Sequence, residues 1–132
     1  MSKEQIHFPI TLFSFGYKYG PPQDVNLLFD VRFLENPFHV AELRSHNGTE
    51  DVISDFVLQN SAGQNCLKHL QRTVLFYIEQ LQKTNKEDLR IGIGCTGGHH
   101  RSVAVTEALA KIIAKNAANV SCFHRDIEKE SH

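Results

Sequence analysis

One stretch decides the fold: LRIGIGCTGGHHRSVAVTEALAKIIAKN, residues 89–116. Its first part, LRIGIG, is apolar and has the length of a strand, whereas SVAVTEALAKIIAKN is a longer, largely apolar run that predicts a helix. Gly97 and Gly98 lie in the loop between them and permit the backbone angles of a tight turn. The stretch therefore predicts a buried strand that leads through a short polar loop into a helix.

Three further runs of the sequence predict strands. FPITLFSFG (8–16) is apolar and ends in glycine, and NLLFDVRFL (26–34) is apolar apart from two charges. The loop YKYGPPQD (17–24) separates them, because its glycine and paired prolines interrupt strand pairing. A last strand is predicted over ANVSCFHRD (118–126), after the helix.

Two helices are predicted between the second and third strands. Thr49 is a candidate cap for a helix over EDVISDFVL (50–58), which places four apolar residues on one face, namely Val52, Ile53, Phe56 and Val57. The run 61–83 has apolar residues at three- and four-residue steps, which predicts a longer helix. Strands separated by such helices favour an α/β layered domain with a mostly parallel sheet.

Length and composition set limits on the function. A chain of 132 residues fits one domain, residues 1–132, and its net charge of −1 does not indicate nucleic-acid binding. Three cysteines without a Cys-x-x-Cys pair predict neither a disulfide framework nor a metal site, and Cys66 and Cys122 are interpreted as core residues. The amino terminus is typical of mature protein and no run could span a membrane, so a cytoplasmic protein is expected.

The loop of the opening stretch has the chemistry of an anion site. Consecutive amides around Gly97 and Gly98 can point inward, and the following helix adds the positive end of its dipole. Arg101 offers a planar fork for two phosphate oxygens, while Thr96 and Ser102 offer hydroxyl groups. A simpler interpretation is a tight turn in which Ser102 caps the helix and Arg101 is exposed, but five polar or glycine positions together favour phosphate.

Cys95 opens an alternative, because Cys95 and Arg101 are separated by five residues and followed by serine. This spacing resembles the loop of cysteine-dependent phosphatases, in which a thiolate attacks phosphorus and an acid protonates the leaving oxygen. Gly94 stands where those enzymes usually have histidine, and the chain has no tryptophan for their usual acid loop. Under this alternative, Cys95 and Arg101 would be catalytic.

The ends of parallel strands bring separate segments together. In open α/β sheets, ligands bind beyond the carboxyl ends of the strands. The segments 30–32, 95–102 and 124–126 follow three predicted strands, so we expect them to converge.

Three segments of the chain carry a resemblance to a known family. FSFGYKYGPPQDVNLLFDVRFLENPF (13–38), LRIGIGCTGGHHRSVAVTEALA (89–110) and NVSCFHRDIEK (119–129) together resemble the carboxyl-terminal domain of the RapZ family, which includes YvcJ. The resemblance runs from about Thr11 to Lys129. It implies a phosphofructokinase-like α/β fold and a noncatalytic, regulatory domain with no cofactor.

The resemblance also implies a ligand and partners. Family members bind glucosamine 6-phosphate or are linked to UDP-N-acetylglucosamine, so a phosphorylated sugar or nucleotide sugar is expected. Enterobacterial members bind small RNAs through a cationic tail, whereas the tail DIEKESH (126–132) alternates charges, so RNA binding is expected to be weaker or absent. Family members form larger complexes, which implies a homo-oligomer. The family's amino-terminal nucleotide-binding domain has no counterpart in this chain, so a stand-alone version is expected.

The family's pocket maps onto a set of residues of this sequence. The resemblance assigns ligand binding to Asp30, Arg32, Cys95, Thr96, Gly97, Gly98, His100 and Arg101, with the Ser102 hydroxyl beside them and with His124 and Arg125 closing the pocket. Asp30 suits sugar hydroxyls or an ammonium group. Phe38 replaces a pocket histidine of the family, and His99 replaces a lysine and is predicted to face solvent.

Overall fold

The computed structural model describes residues 8–117 and 119–130. Its strands are β1 (Ile10–Gly16), β2 (Leu27–Asp30), β3 (Leu89–Cys95) and β4 (Val120–His124), and its helices are α1 (Asp51–Leu58), α2 (Ser61–Leu81) and α3 (Arg101–Ala114). Short 3-10 turns cover Tyr17–Tyr19 and Pro37–His39. Among the described helices, none is long and apolar enough to cross a membrane.

The four strands form one sheet in which every pairing is parallel, in the order β2-β3-β1-β4. The pairing of β1 with β3 places Gly16 beside Cys95, and the pairing of β1 with β4 places Ser14 beside His124. The predicted α/β architecture with a parallel sheet is therefore confirmed. Since all strands run in one direction, their carboxyl ends meet at the same edge.

Helix α3 is at the centre of the packing. It contacts β1, β3 and β4 and also packs against α1 and α2. Its residues Val103, Val105 and Leu109 are completely buried. Burial of an aliphatic side chain of this size stabilises a fold by about 1.5–3 kcal/mol. The apolar body of α3 therefore fixes the position of its first turn, which lies at the carboxyl edge of the sheet.

The second strand is shorter than predicted. It ends at Asp30, and the backbone then turns, with the amide of Leu34 donating to the carbonyl oxygen of Val31. The Asp30 carboxylate accepts a hydrogen bond from the amide of Arg32 at 2.9 Å, which offers the backbone an alternative to the sheet. Asp30 and Arg32, the two charged residues of the predicted strand, are therefore not buried within the sheet, because they lie at or beyond the end of β2.

The start of α1 also differs from the prediction. Glu50, not Thr49, is the residue before the helix, and the Thr49 hydroxyl donates to the Asn47 side chain at 2.6 Å. Ile53 and Val57 are buried as expected, but Val52 is 47% exposed. The asparagine competes for the threonine hydroxyl, which is therefore not directed at the helix amides.

Candidate functional site

The loop after β3 is held tightly against the end of β1. A Cβ atom at Gly16 would lie 2.5 Å from the carbonyl carbon of Gly97, and one at Gly98 would lie 2.6 Å from the amide nitrogen of Gly16. Gly98 has a φ of 71°, in the left-handed region that favours glycine. The two backbones touch because none of these positions carries a side chain.

The amides of this loop are available to a ligand. Within the described residues, the carbonyl oxygens of Thr96 and His99 accept from Lys18 and Gly48, but the amides of Gly97 and Gly98 donate no hydrogen bond. Buried or half-buried amides usually have partners. Amides that precede a helix are the groups with which proteins commonly bind anions.

A cavity of about 190 Å³ opens beside this loop and the start of α3. Its walls combine cationic, hydroxyl and aromatic groups from three parts of the chain: Asn36, Phe38, Cys95, Thr96, Gly97, His99, His100, Arg101 and Glu130. We refer to it as the loop cavity. It is lined by five of the residues that the sequence predicted for ligand binding, namely Cys95, Thr96, Gly97, His100 and Arg101.

Arg101 is almost completely buried, with 5% of its surface exposed. One terminal nitrogen, Nη1, donates to the carbonyl oxygens of Arg32 at 2.5 Å and Leu34 at 3.3 Å. The other, Nη2, donates to the Thr96 hydroxyl at 3.3 Å, and Nε has no partner among the described residues. The guanidinium therefore ties the turn after β2 to the loop and keeps unused donor capacity.

Cys95 is also buried and is hydrogen-bonded to the first turn of α3. Its sulfur lies 3.1 Å from the Ser102 hydroxyl and accepts the Ser102 amide at 3.3 Å. Only 2% of the residue is exposed. Ser102 is completely buried, so its hydroxyl contacts the sulfur rather than the cavity.

Two histidines form one wall of the loop cavity. His100 Nε2 lies 3.0 Å from the carbonyl oxygen of Arg44, and His99 Nδ1 lies 2.8 Å from the carbonyl oxygen of Ile127. Their rings meet edge to face at 4.6 Å. The prediction that His99 faces solvent is wrong, because the carbonyl of Ile127 holds the ring against the cavity.

Phe38 lines the loop cavity and is 43% exposed. The Arg44 guanidinium stands 4.8 Å from its ring centre, and Arg44 Nε donates to the Phe38 carbonyl oxygen at 2.9 Å. An aromatic ring at this place offers a flat apolar surface to a sugar or a base. The residue that departs from the family pattern is thus in the cavity wall.

Sequence reasoning missed Glu130, the carboxylate in the cavity wall. Its side chain accepts from Lys18 Nζ and from the Tyr19 hydroxyl, each at 2.5 Å. A Cβ atom at Gly97 would collide with this carboxylate. The alternating charges of the tail gave no signal that one glutamate folds back onto the loop.

Asp30 and Arg32 lie next to the loop cavity but do not line it. Their side chains pair with each other, with Arg32 Nη2 at 2.6 Å from Asp30 Oδ2. The hydrogen bond from Arg32 lowers the pKa of Asp30, and the charge of Arg101 lowers it further. Asp30 instead borders a second, mostly apolar cavity of about 320 Å³ along α2.

The segment after β4 contacts the loop through Asp126 rather than through His124 or Arg125. Asp126 is completely buried and accepts from the Gly16 amide at 2.8 Å. Arg125 turns outward to the carbonyl oxygen of Gly20 at 2.6 Å and to Asp126. His124 points towards α3 and contacts Glu107. Segments 30–32 and 124–126 each lie against the loop segment 95–102, yet His124 and Arg125 lie outside the walls of the loop cavity.

Comparisons with known proteins agree on one family. The sequence model described as the RapZ C-terminal domain matches residues 8–128. Proteins named "Nucleotide-binding protein" from Caldicellulosiruptor saccharolyticus and Lachnoclostridium phytofermentans are 47% and 45% identical over 92% and 93% of this chain. A relative with this name from Halalkalibacterium halodurans is 42% identical over 96% of it. The chain spans about two fifths of these relatives, 41%, 43% and 43% respectively.

Proposed function

Because the chain belongs to the RapZ C-terminal domain family, we propose that it is a noncatalytic domain that binds a phosphorylated sugar, or the phosphates of a nucleotide sugar, in the loop cavity. The observation that carries this proposal is the loop itself. Gly97 and the buried Arg101 line one small cavity at the start of a helix, and the amides of Gly97 and Gly98 donate no hydrogen bond among the described residues. Donors without acceptors in a buried site favour an anionic ligand.

Each group of the cavity has a role in this proposal. The amides of Gly97 and Gly98, the Thr96 hydroxyl and Arg101 Nε bind the phosphate, and His100 adds a further donor from the side. Phe38 covers the apolar face of the sugar. Asp30 and Arg32 act indirectly, because Arg32 presents the carbonyl oxygen that orients Arg101.

The volume of the cavity restricts the part of the ligand that it encloses. Pockets for complete small molecules measure about 300–1,000 Å³. The loop cavity, at about 190 Å³, accommodates a phosphate and one sugar ring, and a nucleoside would extend past Phe38 into solvent. The relatives' name, nucleotide-binding protein, is consistent with either arrangement.

Thermal unfolding with four probes tests the proposal. Glucosamine 6-phosphate and UDP-N-acetylglucosamine are compared with inorganic phosphate and with glucosamine, which lacks the phosphate. A ligand at a hundred times its dissociation constant stabilises the fold by about 2.7 kcal/mol. We expect stabilisation only by the phosphorylated compounds.

Two variants make this test specific. Arg101→Ala should remove the stabilisation, whereas Arg72→Ala, an exposed position on α2, should keep it. Because Arg101 also holds the turn after β2, Thr96→Val is measured in parallel as a milder change in the same cavity. Equal stabilisation by phosphorylated and unphosphorylated sugar, or full stabilisation in both cavity variants, would contradict the proposal.

One observation favours a second candidate, a cysteine-dependent phosphatase. Cys95 lines the loop cavity, and its sulfur accepts an amide from the first turn of α3. No aspartate lines this cavity among the described residues, and Glu130 is the carboxylate that lines it. The relatives carry the name of a binding protein, which favours the first candidate. Turnover of an aryl phosphate that disappears in Cys95→Ser would establish the enzyme instead.

The remaining expectations stay predictions. RNA binding is tested by a titration against structured RNA, in which affinity must fall steeply with salt if phosphate contacts carry it. A homo-oligomer is tested by sedimentation. Cytoplasmic location and a phosphofructokinase-like fold likewise await a direct observation.

A further inference from the structure

A second cluster of polar side chains lies between α3 and β4, outside the loop cavity. Glu107, Cys122 and His124 each offer one ligand atom, and these atoms lie within 4.8 Å of one another. His124 Nε2 is 2.7 Å from Glu107 Oε2, and Cys122 Sγ is 3.4 Å from the same oxygen. We refer to these three residues as the α3–β4 cluster.

The fold explains how these residues meet. Cys122 and His124 are two positions apart on a strand, so their side chains leave the same face. Helix α3 packs on that face, and Glu107 lies in its second turn. The motif Cys-x-His therefore gains its carboxylate from a residue 15 positions earlier in the sequence.

The ring of His124 is held in a defined orientation. Its Nδ1 lies 2.8 Å from the Ser14 hydroxyl, which leaves Nε2 directed at Glu107. Metal-binding histidines commonly have such a partner on their second nitrogen. A serine, histidine and carboxylate in a row also resemble a hydrolase triad, but Ser14 is completely buried and no substrate can reach it.

We propose that the α3–β4 cluster binds a divalent transition-metal ion of the zinc class, with Glu107, Cys122 and His124 as its three protein ligands. One thiolate, one imidazole and one carboxylate form a donor set that such ions prefer over calcium or magnesium. The Glu107 side chain is 38% exposed, so the fourth position opens towards solvent. This proposal does not depend on the loop cavity or its ligand.

Two of the three distances between the donors can be compared with those that zinc requires. Tetrahedral zinc, with bonds of about 2.0 Å to nitrogen and oxygen and about 2.3 Å to sulfur, separates sulfur from oxygen by about 3.5 Å. The Cys122–Glu107 distance of 3.4 Å already matches. The same geometry places nitrogen and oxygen about 3.3 Å apart, so the 2.7 Å contact of His124 must open by roughly 0.6 Å. A small rotation of the half-exposed Glu107 side chain supplies this movement.

Hydrogen bonds link the three side chains of the α3–β4 cluster. The Cys122 thiol donates to the Glu107 carboxylate, and His124 Nε2 lies 2.7 Å from the same oxygen. Binding of a metal ion by the cluster displaces the thiol proton. Metal ligands in proteins must lose their protons in this way.

Cobalt titration of the full chain tests the proposal directly. A cysteine ligand gives thiolate-to-cobalt charge-transfer absorption, which zinc should then abolish by displacing the cobalt. We expect one cobalt ion per chain in the wild type and in Cys66→Ser, which keeps the cluster, and no absorption in Cys122→Ser. Absence of the band from the wild type, or its persistence in Cys122→Ser, would overturn the proposal.

Two conservative variants protect this test against a folding defect. Glu107→Gln changes a half-exposed side chain, and zinc should raise the melting temperature of the wild type but not of this variant. Ser14→Ala removes the partner that orients His124, and we expect roughly tenfold to hundredfold weaker cobalt binding. An equal zinc effect in Glu107→Gln, or unchanged affinity in Ser14→Ala, would refute the assignment of these ligands.

Discussion

Helix α3 carries two polar regions of opposite character. At its first turn, Arg101 and the amides of the preceding loop present donors, whereas six residues later Glu107 joins His124 and Cys122 to present acceptors. The two regions are about 9 Å apart along the helix axis, from a rise of about 1.5 Å per residue. We propose an anion for the first region and a cation for the second. A single helix can serve both, because the donors and acceptors are separated by nearly two turns.

The largest expected effect comes from disrupting the first region, the loop before α3, while the second region stays unchanged. Gly98→Ala places a side chain at a φ of 71° and against the backbone of Gly16. Strain and overpacking together should cost about 3–5 kcal/mol of unfolding free energy, and phosphate binding should disappear. Urea unfolding measures the first effect, and the melting-temperature response to glucosamine 6-phosphate measures the second.

Gly20→Ala is the matched control for this change. Gly20 also has a positive φ, 95°, but no atom lies within 4 Å of a Cβ atom built there. The strain alone should cost about 1–3 kcal/mol and leave phosphate binding intact. Equal losses in the two variants would show that the contact between the two backbones does not support the loop.

A smaller effect is expected at Asp126, which supports the loop from the side of β4. Burial raises the pKa of this carboxyl, but hydrogen bonds from Arg125, from the Gly16 amide and from Lys129 outweigh it, and the pKa is lowered. Ionised Asp126 therefore stabilises the fold above the unfolded-state pKa of about 3.9, and this contribution is lost as the pH falls through the folded-state pKa.

Asp126→Asn should cost about 1.5–3 kcal/mol at neutral pH, since hydrogen bonds to a charged group are among the stronger ones. Its unfolding free energy should also fall less steeply than that of the wild type below pH 4. The exposed Asp88→Asn serves as control. A parallel loss of stability with acid in wild type and Asp126→Asn would assign the acid sensitivity to another carboxyl group.

The smallest expected effect concerns Glu130. Removal of its charge should strengthen the binding of anions in the loop cavity. A carboxylate beside Gly97 repels an incoming phosphate by about 1 kcal/mol if water screens the pair. Glu130→Gln should bind inorganic phosphate about fivefold more tightly, as measured by calorimetry. Glu128→Gln, an exposed neighbour in the tail, should be unchanged. Weaker binding in Glu130→Gln would mean that the carboxylate supports the ligand instead.

The two regions also differ in how far the sequence predicted them. Thr96, Gly97 and Arg101 are neighbours in the chain, so strand, loop and helix periodicity sufficed to place them together. The α3–β4 cluster was not predicted, because Glu107 and His124 become neighbours only when α3 packs on the sheet. The same reason explains Glu130, which reaches the loop through a fold-back of the tail. The early end of β2 was missed because the Asp30 side chain accepts from the amide of Arg32, a local hydrogen bond that competes with further strand pairing.

The close contact of Gly16 with the loop has a thermodynamic consequence. The segment 96–98 loses its conformational freedom when the protein folds, because the end of β1 leaves it no room to move. A ligand that binds there need not order the loop, and the entropy cost of binding is confined to the ligand and to side chains at the rim. The loop is thus preorganised. The same close contact that fixes its backbone also excludes side chains at Gly16 and Gly98.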